Sequence, residues 1–458
     1  MLVASGQQRG VNVTDTGVDF RAHGGRRSSQ AVGKAVFAEA AGAADASLAA
    51  AIERQKEWRK TYLAPVRKLV EAGARSGKDA LRIADDGLAA AHRNLVFVGP
   101  GGEAPLLDAV AQGSDSLDTG TIEGRGERLT DVVVPYRGAE LRGDALLRQL
   151  DEWAGAGVIE RSCAAAVAEA VRNPGWLDLS DLTFVLLGAA AEMGPLEALC
   201  GWGADVVAVD LDRPAVWDRI LEVASKGSAT VRFPQTRGRA GADLLAQTPE
   251  VAAWVRSLDG PLVVGSYAYA DGSTFLKLAG ALDAVATALR RDRDDVSFAY
   301  LATPTDVFAV PAEVVERSRG RAPSGFGRTA RALTRSKLFA ANYPATVEGE
   351  GGRTWGIADA LVPQQGPNYA LAKMLQRWRA IVAREEGTLS SANVAPATRT
   401  RSVVKNKVLA AAYRGARAFD VEVFEPATSR ALMAALLVHD LRDPSAAARP
   451  DAPLDHPY

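Results

Sequence analysis

The chain has 458 residues, of which 47% are hydrophobic and 24% are charged, which is close to the usage of folded globular proteins. This length corresponds to two or three domains, or to one large domain with insertions. The 54 Lys and Arg residues nearly balance the 55 Asp and Glu residues, so the composition excludes a strong positive field and we expect no nucleic-acid partner.

Cysteine and histidine give no pattern typical of a metal site. The two cysteines, Cys163 and Cys200, and the four scattered histidines lack the spacings that zinc ligands need. We therefore expect no metal and two buried thiols in a reducing compartment. The sequence contains no apolar run long enough for a secretory signal or a transmembrane helix, so we expect a cytoplasmic protein without a membrane span.

The first part of the chain divides at about residue 33. Residues 1–32 are rich in Gly, Arg and Ser without apolar periodicity, which predicts a flexible lead-in with one short strand near Val18. Residues 33–175 show apolar residues at near-helical spacing and predict a mainly helical N-terminal region. The spacing is clearest at Leu48, Ile52, Trp58, Tyr62 and Val66.

Residues 176–442 alternate short apolar runs with helical patterns. This alternation predicts an α/β fold, a doubly wound parallel sheet of the Rossmann-like type that binds a nucleotide and carries catalysis. Residues 312–360 interrupt it as an insertion, a helix is expected over Pro367–Arg384, and residues 443–458 form a disordered or loosely docked tail. The first five predicted strands are Thr183–Leu187, Val206–Val209, Thr230–Phe233, Pro261–Val264 and Val296–Leu301.

A glycine-bearing turn follows the first of these strands. Gly188 and Gly194 lie between the strand and a helix, where small residues let the backbone approach a ligand and free amides face an anion. The second strand ends in Asp210, 22 residues after Gly188, which suits an acid that accepts hydrogen bonds from ribose hydroxyls. Dinucleotide-binding folds and S-adenosylmethionine-dependent methyltransferases share this pattern, so the turn leaves both open.

A tyrosine and a lysine lie one helical turn apart in Tyr369-Ala-Leu-Ala-Lys373. The helix begins after Pro367, so both side chains lie on one face of it. A neighbouring cation favours the phenolate, which lowers the tyrosine pKa and makes the hydroxyl a general acid or base. Lys373 can also hold the ribose of a dinucleotide.

The order of these motifs resembles the short-chain dehydrogenase/reductase superfamily over roughly residues 180–420. The motifs that carry the resemblance are Gly188 with Gly194, Asp210, Asp243 in Gly-Ala-Asp-Leu-Leu, the fourth strand ending Val-Val-Gly-Ser-Tyr267, Tyr369 with Lys373, and Asn393-Val-Ala-Pro396 with Thr400.

The resemblance implies a role for each matching residue. Gly188 and Gly194 would line the pyrophosphate, Asp210 would bind the adenosine ribose, and Asp243 would lie near the adenine. Tyr369 would be the acid/base and Lys373 its electrostatic partner. The remaining implied cofactor contacts are Ala189, Glu192, Met193, Gly265, Ser266 and Lys373, with Pro396 and Thr400 near the nicotinamide.

The chain departs from the family pattern at four places. Glu192 replaces the middle glycine, Ala397 follows Pro396 in place of glycine, and the Asn-Asn-Ala-Gly run after the fourth strand is absent. The serine that precedes the tyrosine in the family has no clear match. Thr303 or Thr305, at the end of the fifth strand, would supply that hydroxyl across the insertion.

The sequence therefore predicts an NAD-dependent oxidoreductase acting on a small-molecule carbonyl or alcohol substrate. NADP is the less favoured cofactor, because Asp210 would repel a 2′-phosphate. The alternatives are a methyltransferase that uses S-adenosylmethionine and a nucleotide-binding scaffold without turnover. The N-terminal region and the insertion would shape the substrate side of the site or form a homo-oligomer contact.

Overall fold

The computed structural model describes residues 16–320, 343, 345–405, 407–416 and 421–452. Residues 1–15 of the lead-in, residues 321–342 and 344 of the insertion, and residues 453–458 of the tail lie outside the described residues. So do the predictions that concern them.

The N-terminal part, up to residue 172, combines helices with short strands. The strands are β1 (Gly17–Phe20), β2 (Leu95–Gly99), β3 (Gly102–Pro105), β4 (Asp118–Glu123), β5 (Val134–Tyr136) and β6 (Ala139–Leu141). The helices are α1 (Ser29–Gly42), α2 (Ala46–Glu53), α3 (Trp58–Thr61), α4 (Leu63–Gly73), α5 (Gly77–Asn94), α6 (Leu106–Ala111), α7 (Gly143–Ala156) and α8 (Arg161–Arg172). β1 lies where the sequence predicts a strand, and the stretch from Leu95 forms the β2–β3 hairpin.

The middle part alternates strands and helices after a 3-10 turn at Pro174–Leu177. Its strands are β7 (Thr183–Leu187), β8 (Asp205–Val209), β9 (Thr230–Thr236), β10 (Arg239–Ala240), β11 (Leu262–Ser266), β12 (Val296–Ala302) and β13 (Val307–Pro311). Its helices are α9 (Leu196–Trp202), α10 (Pro214–Lys226), α11 (Thr248–Arg256), α12 (Ser273–Asp292) and α13 (Ala312–Gly320). The five predicted strands correspond to β7, β8, β9, β11 and β12.

The C-terminal part contains a further strand of the main sheet and the long helix that carries the tyrosine. Its strands are β14 (Ala345–Glu348), β15 (Thr354–Asp359) and β16 (Ser390–Val394), with a 3-10 turn at Glu350–Gly352. Its helices are α14 (Pro367–Glu385), α15 (Arg401–Lys405), α16 (Lys407–Gly415) and α17 (Pro426–Arg442).

The central sheet is mostly parallel. Six parallel strands follow the order β9-β8-β7-β11-β12-β16, which is 3-2-1-4-5-6 when these strands are counted along the chain. β4 and β10 pair antiparallel with β9. This order is consistent with a Rossmann-like fold.

Helices cover both faces of the sheet, and the strand residues alternate between two apolar cores. Along β7, Phe184 and Leu186 face one core while Val185 and Leu187 face the other. These four side chains are almost fully buried. One core contains α1, α4, α5, α11, α12 and α14, and the other contains α7, α8, α9, α10 and α17. A sheet buried on both faces explains why its strands have continuous apolar sequences.

The N-terminal region packs into the same core as the sheet, across the boundary predicted near residue 175. Helices α1 and α5 lie against α14, and the ring of Phe37 is 6.3 Å from that of Trp378. A Cβ added at Gly87 would lie 2.4 Å from the Trp378 ring, so α5 and α14 are in close contact. Since β4 also joins the main sheet and α7 and α8 pack on its other face, the two predicted regions share both cores.

The insertion and the tail differ from their predictions. β13, β14 and β15 form a small antiparallel sheet, so the interruption begins before residue 312. The prediction of a disordered or loosely docked tail is wrong for residues 443–452. There Ser390 N donates to Ala448 O (3.0 Å) and Arg384 Nη2 donates to Ala452 O (2.8 Å), which fixes the segment on α14 and β16.

No helix within the described ranges combines the length and the hydrophobicity that a bilayer crossing needs. Long helices such as α12 and α14 instead carry charged residues, including Asp283 and Arg379, which pair with each other inside the core (2.7 Å).

Candidate active site

The candidate site lies along the edge where the parallel strands end. Gly188 follows β7, Tyr267 follows β11 and Thr303 follows β12. β11 is the single strand between β7 and β12, and neighbouring strands are about 4.8 Å apart. The chain therefore leaves the sheet at Gly188 and at Thr303 about 10 Å apart, on the same edge.

The turn after β7 requires glycine at its first position. Gly188 has φ +94°, and a Cβ there would lie 2.3 Å from the backbone nitrogen of Ala268. That nitrogen donates to Leu187 O (2.8 Å), which draws the loop after β11 over the turn. Gly194 is less constrained, because a Cβ there would lie 3.3 Å from Ala191 O.

Most backbone amides of the turn already have acceptors within the protein. Five of the seven amides between residues 188 and 194 donate internally, and Pro195, the N-cap of α9, has no N–H. The pairs are Gly188 N to Val209 O (2.8 Å), Ala189 N to Val209 O (3.1 Å), Ala190 N to Asp210 Oδ2 (2.9 Å), Ala191 N to Gly188 O (3.0 Å) and Gly194 N to Ala191 O (3.0 Å). These five amides are therefore unavailable to a pyrophosphate, whereas the expectation that amides at the start of α9 face an anion stays a prediction.

Asp210 is part of this internal bonding. Its Oδ2 accepts from Ala190 N (2.9 Å) and its Oδ1 accepts from Leu211 N (2.8 Å). Burial raises the pKa of this carboxyl, although the two amide hydrogen bonds favour its ionised form. Because a carboxylate oxygen can accept two hydrogen bonds, each oxygen keeps one acceptor site for a ribose hydroxyl.

Asp243 lies beside Asp210 through the backbone. Ala242 N donates to Asp210 O (2.9 Å), so the loops after β8 and β10 touch. Asp243 Oδ1 accepts from the amides of Leu245 (2.8 Å) and Ala246 (3.2 Å). This carboxylate therefore holds the segment before α11, and its predicted place near the adenine stays a prediction.

Glu192 and Thr400 come together at the same edge. Glu192 Oε2 accepts from the backbone amide of Arg401, the residue after Thr400 (2.9 Å). This contact brings the loop after β16 against the turn after β7. Pro396 lies further back in the loop, where Ala395 N donates to Ala302 O (3.0 Å). The two loops that carry these predicted contacts are therefore joined at the sheet edge.

A narrow cavity lies between the sheet edge and α17. It leaves room for about one water molecule. Its lining includes Met193 from the turn, Tyr267 after β11 and Asn393 from β16. Met193 therefore stands between the turn and the ends of the neighbouring strands.

The second cluster surrounds Tyr369 in the first turn of α14. The side chains of Thr303 and Thr305 lie close enough to its hydroxyl to lower the pKa of the phenol. The two threonine hydroxyls are 3.0 Å apart, and Gln365 Nε2 donates to Thr305 Oγ1 (2.9 Å). The structure thus joins the predicted tyrosine to the predicted threonine across the insertion.

The pKa of Tyr369 moves in the opposite direction to the expectation. Burial raises it to about 12, against the lowering effect of the hydrogen bond from Thr303. The rings of Phe275 and Tyr269 lie 5.5 Å and 6.3 Å from the phenol ring and enclose it. The predicted lowering of this pKa is wrong, because desolvation of the phenol raises it.

Lys373 faces the end of β12. Its Nζ donates to Leu301 O (2.9 Å) and to Gln376 Oε1 (3.1 Å), and it lies 5.8 Å from the centre of the Phe275 ring. Burial lowers the pKa of this amine to about 8, although Asp306 raises it. Lys373 is therefore a partly desolvated amine on the same helix face as the phenol.

Gly265 and Ser266 lie below the edge. A Cβ at Gly265 would lie 2.2 Å from the ring of Tyr267, and Ser266 is buried in β11. Ser266 O accepts from Gln376 Nε2 (3.5 Å), which links it to Lys373 through Gln376. The direct cofactor contact proposed for these two residues stays a prediction, and the Tyr267 ring packs against Gly265.

The structure adds polar residues that the sequence argument missed. Asp306 is buried and accepts from Arg377 (3.3 Å), close to both Tyr369 and Lys373. Gln365 Oε1 and Asn368 Oδ1 are buried acceptors without a hydrogen-bond partner in the described part of the chain. The polar run Thr-Pro-Thr-Asp306, directly after an apolar strand, is the signal that could have identified Asp306.

Comparison with known proteins gives no relative for this arrangement. A scan against protein-family models, a search of the curated proteins and a search of the solved structures each return no match. The function is therefore inferred from the geometry of two clusters. One is the turn with Asp210, and the other is the tyrosine with Thr303.

Proposed function

We propose that the chain is an NAD-dependent oxidoreductase of the short-chain dehydrogenase/reductase type, built on a doubly wound Rossmann-like sheet. Its small-molecule substrate would carry a carbonyl or an alcohol. One observation carries the proposal. Tyr369 and Lys373, one helical turn apart on α14, both face the end of β12, where the phenol lies beside Thr303 and the amine donates to Leu301 O (2.9 Å).

The residues of the edge fit a dinucleotide. Asp210 keeps acceptor sites for ribose hydroxyls, and its negative charge disfavours the 2′-phosphate of NADP. Asp243 stands next to it, and the contact between Glu192 and Arg401 brings the loop of Thr400 against the turn. The nicotinamide, when bound, supplies the hydride chemistry, while the protein orients the reactants.

Tyr369 would exchange a proton with the substrate oxygen. Because burial raises its pKa to about 12, the phenol is protonated at neutral pH, which suits donation to a carbonyl oxygen and favours the reductive direction. Thr303 and Thr305 orient the hydroxyl, and Gln365 orients Thr305. Lys373 places positive charge next to the forming alkoxide.

The first test replaces the acid. Tyr369→Phe should lower turnover of NADH with carbonyl substrates by a factor of about 10²–10⁴, the usual contribution of a general acid. Binding of NADH should be unchanged. Tyr136→Phe, which removes a hydroxyl bonded to Glu422 away from the edge, is the matched control and should retain full turnover. An unchanged rate for Tyr369→Phe would contradict the proposal.

The second test identifies the ligand. Thermal shifts with NADH, NADPH and S-adenosylmethionine should rank NADH first, because a ligand that binds the native state raises the melting temperature. A preference for NADPH would contradict the role of Asp210. A preference for S-adenosylmethionine would replace the oxidoreductase by a methyltransferase, for which Tyr369→Phe should leave activity largely intact.

A second candidate is a nucleotide-binding protein without turnover. The observation that favours it is the internal bonding of five turn amides, which is a departure from an open pyrophosphate cradle. Under this alternative NADH raises the melting temperature, no carbonyl substrate is reduced, and Tyr369→Phe changes neither result.

A further inference from the structure

Three arginines from three separate helices converge on the turn after β7. Arg219 of α10 donates from Nη1 to Ala190 O (3.1 Å), and Arg430 of α17 donates from Nη1 to Glu192 O (3.2 Å). Arg401, at the start of α15, donates its backbone amide to Glu192 Oε2 (2.9 Å), and its Nε lies 3.6 Å from Glu192 Oε1. The three residues thus contact the short stretch 190–192.

Three carboxylates lie around these arginines. Glu192 faces Arg401, Glu197 pairs with Arg430, and Asp210 accepts from Ala190 N beside Arg219. Arg219 donates to a carbonyl oxygen, and burial together with Arg401 and Arg430 lowers the pKa of its guanidinium. Three guanidinium groups held this close repel one another, and a bound anion would relieve that repulsion.

The position of the cluster indicates what kind of anion it would bind. It lies at the carboxyl end of β7, beside β11, where the strand order changes direction and α/β sheets bind ligands. Arg401 is two-thirds exposed, while Arg219 and Arg430 are half-buried, so the cluster opens to solvent on the side of α15. Guanidinium groups match phosphate oxygens in geometry and charge.

We propose that Arg219, Arg401 and Arg430 form a phosphate-binding site in which side chains replace the amides that the turn has already used. The ligand group is a pyrophosphate or a phosphate ester. Its assignment to the pyrophosphate of a dinucleotide rests on the proposed function, whereas the binding of a free phosphate compound does not.

Glu192 competes with the ligand in this site. Its carboxylate occupies both the backbone amide and the guanidinium of Arg401, and it repels an incoming anion. A phosphate would have to displace this contact. The site therefore predicts that removing the charge of Glu192 strengthens binding, which is a result that a purely structural role for the arginines does not predict.

The test measures binding of inorganic pyrophosphate to the full chain by calorimetry, with the melting temperature of each variant measured in parallel. Arg219→Gln should weaken binding at least about tenfold, the loss expected for one charge-assisted contact. Arg172→Gln is the matched control. It removes an exposed arginine of α8 that pairs with Glu169 (3.0 Å), and binding should be unchanged.

Glu192→Gln keeps the proposal testable where Arg219→Gln unfolds the turn. It should bind pyrophosphate several-fold more tightly, with Glu222→Gln on the exposed face of α10 as the neutral control. Binding by wild type that resists 0.5 M salt, equal binding by Glu192→Gln, or no binding by wild type at millimolar pyrophosphate would each overturn the site.

Competition separates the two sources of phosphate. If NADH displaces pyrophosphate, the site holds the cofactor, and if it does not, the site holds a phosphorylated substrate. Turnover of Tyr369→Phe is measured independently of pyrophosphate binding. The oxidoreductase proposal can therefore fail while pyrophosphate still binds, and the phosphate site can fail while Tyr369→Phe still lowers turnover.

Discussion

The turn after β7 and the cluster around Tyr369 occupy the same edge of the sheet, yet they treat their polar groups differently. In the turn, backbone amides and the Asp210 carboxylate bond to each other. In the tyrosine cluster, a half-buried phenol and a half-buried amine have pKa values shifted by desolvation, and two buried acceptors nearby lack a partner in the described residues.

This difference separates a region that serves stability from one that serves function. A turn whose polar groups bond to each other contributes to the free energy of folding, whereas a cluster with desolvated ionisable groups lowers it. Perturbed groups of this kind concentrate at functional sites. We therefore expect substitutions in the turn to affect mainly stability and substitutions near Tyr369 to affect mainly activity and its pH dependence.

The largest expected effect is on stability, at Gly188. Gly188→Ala would impose a positive φ on a residue with a side chain and place its Cβ 2.3 Å from a backbone nitrogen. We expect the free energy of unfolding to fall by about 4 kcal/mol, from backbone strain and overpacking combined. Denaturant titration of the variant measures this fall.

Gly194→Ala provides the control within the same turn. Its Cβ would lie 3.3 Å from Ala191 O, a contact that a small shift relieves. The expected loss is about 1 kcal/mol. Equal losses for the two variants would show that the turn is not held by close contact at Gly188.

The next effect is a pH dependence that originates at Lys373. Burial lowers the pKa of this amine to about 8, below its ordinary value of 10.5. The unfolded chain keeps the proton to higher pH than the folded chain, so the free energy of unfolding should rise by about 2 kcal/mol between pH 7 and pH 10 from this group. Lys373→Met should remove that rise.

The measurement compares denaturant midpoints of wild type and Lys373→Met at both pH values. Tyrosines with raised pKa values titrate in both proteins, so their contribution cancels in the difference. Lys78→Met, at an exposed position of α5, should behave as wild type. A difference between wild type and Lys373→Met that does not change with pH would contradict the burial of the amine.

The smallest expected effect is at Thr303. Thr303→Val keeps the shape of the side chain and removes the hydrogen bond that lowers the pKa of Tyr369. Turnover should fall about fivefold, because one oriented hydrogen bond contributes about 1 kcal/mol. Thr305→Val should have a smaller effect. Thr230→Val should have none, because Thr230 lies on β9 and its hydroxyl donates to exposed Glu123 of β4, away from the site. Steady-state rates across pH test this order.

Local sequence predicted the strands and the long helix, but it did not predict the pairing across the chain. The apolar run at Thr183–Leu187 and the helix from Pro367 appear in the structure at the expected positions, because burial on both faces and a proline at the first helical position leave clear patterns. β4 has a mostly polar sequence, so its pairing with β9 was not predicted.

The candidate site shows the same limit. The order of motifs indicated that Thr303 and Tyr369 lie at the same edge, since parallel strands end together. It could not indicate that Asp210 accepts the Ala190 amide, or that Arg219 reaches the turn from α10. These contacts depend on side-chain directions between distant elements, which spacing along the chain does not determine.

The two outer borders of the central sheet are occupied by segments from far along the chain. β4 lies along β9 at one border, and Ala448 accepts from Ser390 of β16 at the other. Edge strands with unpaired backbone N–H and C=O groups are templates for intermolecular pairing. A fragment limited to residues 176–442 would uncover both of them and should self-associate more than the full chain.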